Sequence, residues 1–187
     1  MQKTDIANSS ATESLNVHHN WYALKVFYNR TAEIERYAAK FEMESYIAMR
    51  TVEYQRQGVT IRRRIPLISS LMFIRCSKEQ ISKLKQEFAG KVMIYGDRKG
   101  QEPKQIDERE MQIFKLVTGA DSNFDYIDIQ ETIWSRGDRV RVIGGQFEGA
   151  EGYIHRIKGD RRLIVSIEGV VAVATSYIPG SLLKRVP

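Results

Sequence analysis

Between Gly137 and Gly159 the chain reads GDRVRVIGGQFEGAEGYIHRIKG, six glycines set among short runs of alternating Arg, Val and Ile. Glycine-rich turns can cradle a phosphate, mark a tight β-barrel or present backbone to another macromolecule. Alternation puts Val140 and Val142 on one side of a strand and Arg139, Arg141 and Ile143 on the other, giving an apolar face and a basic one. Gly144 and Gly145 supply positive φ for the turn that follows, and Gly149 and Gly152 allow close backbone approach where the next strand begins. Phe147 is the apolar plug of an otherwise polar loop. A phosphate cradle is improbable: Gly144 and Gly149 have the spacing, but Ala150 and Glu151 stand where Lys and Ser or Thr are required. A dinucleotide fingerprint fails too, because the segment after the glycines is another strand and not a helix.

The strands RRLIVSIE and VAVATSYI continue this pattern with no helical period, so residues 134–187 predict a small β-barrel. The earlier part of the chain reads differently. WYALKVFY, residues 21–28, predicts a buried strand, and Ile34, Tyr37, Ala38 and Phe41 then line one face of a helix. YIAMRTVEY and LMFIRC predict two more strands separated by an arginine-rich loop or hairpin. Ser77 and Gln80 form a capping box that opens a helix carrying Ile81, Leu84 and Phe88 and ending at Gly90. KVMIYG is a short strand, and a last helix starts at Asp107 with Glu110 as its capping partner, presents Met111, Phe114 and Val117, and ends at Gly119. This β-α-β-β-α-β order with a terminal helix predicts a ferredoxin-like, split βαβ arrangement, and the chain as a whole is α+β. The expected organisation is a disordered tail over 1–20, a first domain over 21–119, an acidic linker over 120–133 with Asp121, Asp125, Asp128 and Glu131, and the barrel over 134–187.

Composition narrows the class. The 187 residues carry a net charge of +6 and are 42% hydrophobic, enough for real cores with a mild preference for an anionic partner. Cys76 is the one cysteine, which rules out an intrachain disulfide and a thiolate zinc cage. No apolar run nears the roughly 18 residues a spanning helix needs, and the polar N-terminus lacks a signal peptide's apolar segment, so a cytoplasmic protein without membrane contact is expected. His18, His19 and His155 show no metal-ligand spacing, Ser69 and Ser70 lack a nucleophile elbow, and Asp107 and Glu110 are better read as caps than as a catalytic pair. The expectation is a non-enzymatic protein without metal or cofactor.

The glycine-rich stretch resembles the KOW motif through Val140, Val142, Gly145, Phe147, Gly149 and Gly152. Joined to an upstream split βαβ domain that opens WYALKVFYNRTAEIE, it is similar to the NusG family of transcription elongation factors, with an NGN domain followed by a KOW domain. In that family the entry to the third strand reads Pro-Leu-Phe-Pro-Gly-Tyr. Here Pro66 and Leu67 match while Ile68, Ser69, Ser70 and Leu71 replace the rest, so the chain looks like a specialised paralogue, as in the RfaH and UpxY groups. The resemblance implies a monomeric factor that grips the clamp helices of the largest subunit of RNA polymerase and suppresses pausing, with capsular-polysaccharide operons as the implied setting. Candidate polymerase contacts are Tyr22, Phe27, Tyr28, Ile68 and Leu71. Arg50, Arg56, Arg62, Arg63 and Arg64 are candidates for non-template DNA or nascent RNA, since guanidinium forks match phosphate. Ile143, Phe147 and Ile154 are candidates for a barrel surface that recruits a ribosomal protein or termination factor, and equally for core. The competing reading is a KOW-type RNA-binding module of the ribosome or translation.

Overall fold

The computed structural model describes residues 18–96, 102–119, 125–127, 138–157 and 159–186. The expected tail over 1–20 falls almost wholly outside these residues, as does most of the expected linker.

The N-terminal half is built on one antiparallel sheet. Its strands are β1 (Asn20–Val26), β2 (Glu44–Tyr46), β5 (Leu71–Cys76) and β6 (Val92–Ile94), in the spatial order β2-β5-β1-β6. Helix α1 (Thr31–Lys40) leads from β1 to β2, and α2 (Lys78–Glu87) from β5 to β6. Each helix thus joins two strands that have a third between them, which is the split arrangement expected from the element order. Between β2 and β5 a separate two-stranded hairpin is inserted, β3 (Met49–Arg56) and β4 (Val59–Pro66), where the sequence suggested a strand followed by an arginine-rich loop.

Both faces of the central strands are covered, so β1 and β5 read as continuous apolar runs. Tyr22, Leu24 and Val26 of β1 and Met72, Ile74 and Cys76 of β5 pack under α1 and α2 with Ile34, Ala38, Ile81 and Leu84. Trp21, Ala23, Leu71 and Phe73 face the other way, against Met111, Phe114 and Val117 of α3 (Glu108–Gly119). Helix starts are fixed locally. The Ser77 hydroxyl accepts from Gln80 N–H at 3.2 Å, and Gln80 Oε1 accepts from Ser77 N–H at 2.9 Å, the expected capping box. At α3, Asp107 Oδ1 accepts from the N–H groups of Arg109 and Glu110 at 2.9 and 3.3 Å. Glu110 does not cap its own helix as expected. Its Oε1 accepts from the N–H of Glu168, 58 residues away.

Apart from a 3₁₀ turn at Gly180–Leu182, the regular structure of the C-terminal half among the described residues is β. Strands β7 (Asp125–Ile127), β8 (Arg139–Val142), β9 (Glu151–Ile157), β10 (Asp160–Ile167), β11 (Val171–Tyr177) and β12 (Leu183–Arg185) form one antiparallel sheet in the order β12-β8-β9-β10-β11-β7. β7 lies inside the stretch expected to be linker, where it adds an edge strand to β11. Val140, Val142, Phe147, Leu163, Val165 and Val173 enclose the interior of this sheet, and they belong to the same buried cluster as Trp21, Phe73 and Phe114. The two halves therefore share a contiguous apolar core.

Candidate functional site

On the α3 side of the first sheet, Ala48, Leu67, Ile68, Leu71, Phe73 and Phe114 line a narrow apolar depression too small to admit a water molecule, with Leu67 and Ile68 partly buried at its edge and the other four buried. Leu67 N–H donates to Ala48 O at 2.8 Å and Leu71 N–H to Ile68 O at 3.1 Å, so the loop between β4 and β5 is pinned as a tight turn at its edge. Phe73 and Phe114 form its floor, with ring centroids 5.4 Å apart. Tyr46 stands beside them, its hydroxyl 2.6 Å from Thr118 Oγ1; burial drives the phenol's pKa up against that hydrogen bond. Lys115 Nζ sits 4.0 Å above the Trp21 ring and 2.7 Å from a Glu44 carboxylate oxygen, placing one cation at the margin.

Of the five residues expected to contact a polymerase, the structure brings two together here, Ile68 and Leu71. Tyr22 is only 1% exposed and packs on the opposite face, beneath α1 and α2. It is a core residue, because strand alternation sends it away from Trp21 and Ala23. Phe27 and Tyr28 follow the end of β1, where Tyr28 takes φ 57 and is 80% exposed, its ring centroid 6.4 Å from that of Phe27. Ala48, Leu67, Phe73 and Phe114 were not foreseen at the depression. Phe73 was legible as the β5 residue sharing a face with Leu71, whereas the approach of Phe114 depends on where α3 docks.

The five arginines lie on or next to the hairpin's strands. Facing pairs are Arg50 with Ile65, Val52 with Arg63, Tyr54 with Ile61 and Arg56 with Val59 on one side, and Thr51 with Arg64, Glu53 with Arg62 and Gln55 with Thr60 on the other. The turn is made by Gln57 and Gly58, both at positive φ (52 and 78), the two-residue geometry whose twist matches paired strands. Arg62 Nε donates to Glu53 Oε1 at 2.6 Å.

In the C-terminal half, Val140, Val142 and Phe147 are buried, which makes them core and not partner surface. Ile154 is partly buried against the same cluster, and Ile143 alone of the three partner candidates is exposed, at 51%. Gly145 and Gly149 take positive φ, whereas Gly144 does not and rests against Leu182. Gly152 has a different reason to be glycine: a Cβ there would stand 2.2 Å from the backbone oxygen of Ile164.

The densest polar cluster was not anticipated. Glu151, whose side chain is 6% exposed, accepts from Arg109 Nη2 at 2.6 Å, Arg141 Nε at 2.6 Å and Arg139 Nη2 at 3.4 Å. Burial alone would raise its pKa; the Arg141 hydrogen bond and the charges of Arg109, Arg141 and Arg139 outweigh that and hold the carboxyl below its usual range. Arg109 comes from α3 and the other two from β8, so this carboxylate ties the halves together across a cleft of about 410 Å³. Lys104 adds a second tie by donating to the backbone oxygen of Glu168. Cys76 is fully buried, and burial pushes its thiol up to about 12. Among the described residues no cluster of His, Cys, Asp and Glu suits a metal, and no helix is long and apolar enough to cross a membrane.

A split βαβ sheet with an apolar depression on one face and a basic hairpin rooted beside it defines a class of small α+β proteins. Residues 19–115 match the family model of NusG, described as transcription termination factor nusG. That match spans more than half of the chain, and the chain belongs to the NusG family. Comparison with curated proteins returned no match.

Proposed function

We propose that this protein is a transcription elongation factor that binds RNA polymerase through the apolar depression of its N-terminal half and suppresses pausing or termination. The family match over residues 19–115 carries this reading, and the depression supplies the chemistry. A protruding helix of a partner needs an apolar surface with buried support and a polar rim; the partly buried Leu67 and Ile68 supply the surface and the fully buried Phe73 and Phe114 the support beneath it. The hairpin suits contact with nucleic acid at the transcription bubble. The C-terminal sheet fits a KOW-type domain, with exposed Ile143 the residue best placed to meet a ribosomal protein or termination factor. Replacement of the family's Phe-Pro-Gly-Tyr by Ile68-Ser69-Ser70-Leu71 supports a specialised, UpxY- or RfaH-like paralogue serving a polysaccharide operon.

The ribosomal RNA-binding alternative needs free cations on the C-terminal sheet. Arg139 and Arg141 are engaged by Glu151, and Arg185 by Asp138, while Arg156, Arg161 and Lys184 are exposed with no ion pair among the described residues, so the preference for the polymerase reading rests on the family match. The test is retention of the full chain on core RNA polymerase. Wild type is expected to be retained and Ile68→Asp to lose at least tenfold in affinity with an unchanged circular dichroism spectrum, because a charge would have to be desolvated in the depression. No retention of the wild-type chain would defeat the proposal.

A further inference from the structure

We infer that the cleft between α3 and the C-terminal sheet is a binding site for a small neutral saccharide, held by hydrogen bonds to Asp107, Arg109, Glu110 and Arg139 and by packing on Tyr153 and Ile164. This goes beyond the elongation-factor reading and does not depend on it.

The floor of the cleft is one row across three strands. Arg139 of β8 lies directly opposite Tyr153 of β9, and Tyr153 directly opposite Ile164 of β10, so the three side chains share a face. The wall is the start of α3, with Arg109, Glu110 and Ile113, and the Asp107 cap that precedes it. A volume of about 410 Å³ falls within the roughly 300–1,000 Å³ of small-molecule sites.

The polar groups here are only partly used by the protein itself. Asp107 accepts from the helix N–H groups through Oδ1 alone, and Glu110 accepts from Glu168 N–H through Oε1 alone. Oδ2 of Asp107 and Oε2 of Glu110 accept no hydrogen bond among the described residues. Arg109 and Arg139 each give Glu151 one nitrogen, Nη2, and their side chains are 63% and 52% exposed, so the other N–H groups of each guanidinium are uncommitted among the described residues. Tyr153 and Ser166 add hydroxyl groups, which both donate and accept.

The balance of charge selects the ligand. Arg109, Arg139 and Arg141 are matched by Asp107, Glu110 and Glu151, so neither a polyanion nor a polycation gains much from the cleft as a whole. A ligand that fills it must satisfy donors and acceptors set side by side, because each polar group left dry and unpaired costs roughly 1–3 kcal/mol. Sugar hydroxyls meet both needs, each donating to a carboxylate while accepting from a guanidinium. The C–H faces of a pyranose are apolar and suit Ile113, Ile164 and the ring of Tyr153.

Isothermal titration calorimetry of the full chain with glucose, galactose, N-acetylglucosamine and lactose tests the assignment, with AMP and glutamate as charged comparators. At least one of the sugars is expected to bind saturably, and more tightly than either comparator. Glu110→Gln, which keeps an oxygen for Glu168 N–H, and Arg139→Gln are each expected to weaken that sugar about tenfold or more, the loss of one hydrogen bond to a charged group. Arg156→Gln, at an exposed position of β9 away from the cleft lining, is expected to bind it like wild type. The inference is overturned if no sugar in the set binds the wild-type chain, or if AMP or glutamate binds as tightly as the best of them. It is equally overturned if Glu110→Gln and Arg139→Gln bind the sugar like wild type, or if Arg156→Gln weakens it as much as they do. Polymerase retention is read separately, so loss of sugar binding leaves the elongation-factor reading standing, and loss of retention leaves the saccharide site standing.

Discussion

Gly152 and Glu151 are neighbours with opposite roles, and they show how little a residue's type says without its surroundings. Gly152 leaves no room for a side chain, because a Cβ would lie 2.2 Å from a backbone oxygen of β10 that cannot swing aside. Gly152→Ala is expected to destabilise the protein by about 1–3 kcal/mol in urea unfolding, through forced separation of β9 from β10. An alanine variant with wild-type stability would show that the strands part freely. Close approach at Gly152 was legible from the glycine spacing. The role of Glu151 was not, since its three arginines come from positions 10, 12 and 42 residues away. Tyr22 failed as a surface candidate for a related reason: an aromatic in a strand buried on both faces has the same sequence signature whichever face it takes.

Among the elements, α2 was the most legible. Its cap, its apolar stripe and its stop all lie within a few residues, and the reciprocal Ser77–Gln80 bonds follow from local spacing alone. Ser77→Ala removes the acceptor for Gln80 N–H in a buried setting and is expected to cost about 1 kcal/mol, read as a lowered urea midpoint with unchanged slope. The β3–β4 hairpin was harder to read, because a strand that exposes most of its side chains lacks the alternation that marks a half-buried one. Its pairing register, which decides that Arg62 neutralises Glu53 while Arg63 stands free, becomes visible only once the Gln57-Gly58 turn is located.

For the whole molecule, the ties from Arg109 to Glu151 and from Lys104 to Glu168 hold the C-terminal sheet against α3 and the segment that precedes it. Because the folded-state pKa of Glu151 is lowered, its contribution is complete above the ordinary carboxylate pKa and is lost as pH falls through the lowered value. The radius of gyration from small-angle scattering is therefore expected to hold from neutral pH to the ordinary carboxylate range and to rise in stronger acid. Glu151→Gln is expected to expand the molecule already at neutral pH, since three arginines would lose their shared anion; a compact Glu151→Gln protein would mean that the apolar contacts hold the halves unaided. The sequence by itself determined the helices, the strand-rich C-terminal half and the likeness to the NusG family, because caps, periodicity and glycine spacing act over a few residues. Only the tertiary structure decided which face each aromatic takes, which arginines are left unpaired, and that α3 serves both halves at once. Those outcomes depend on sheet register and helix docking, which bring together groups far apart in the chain.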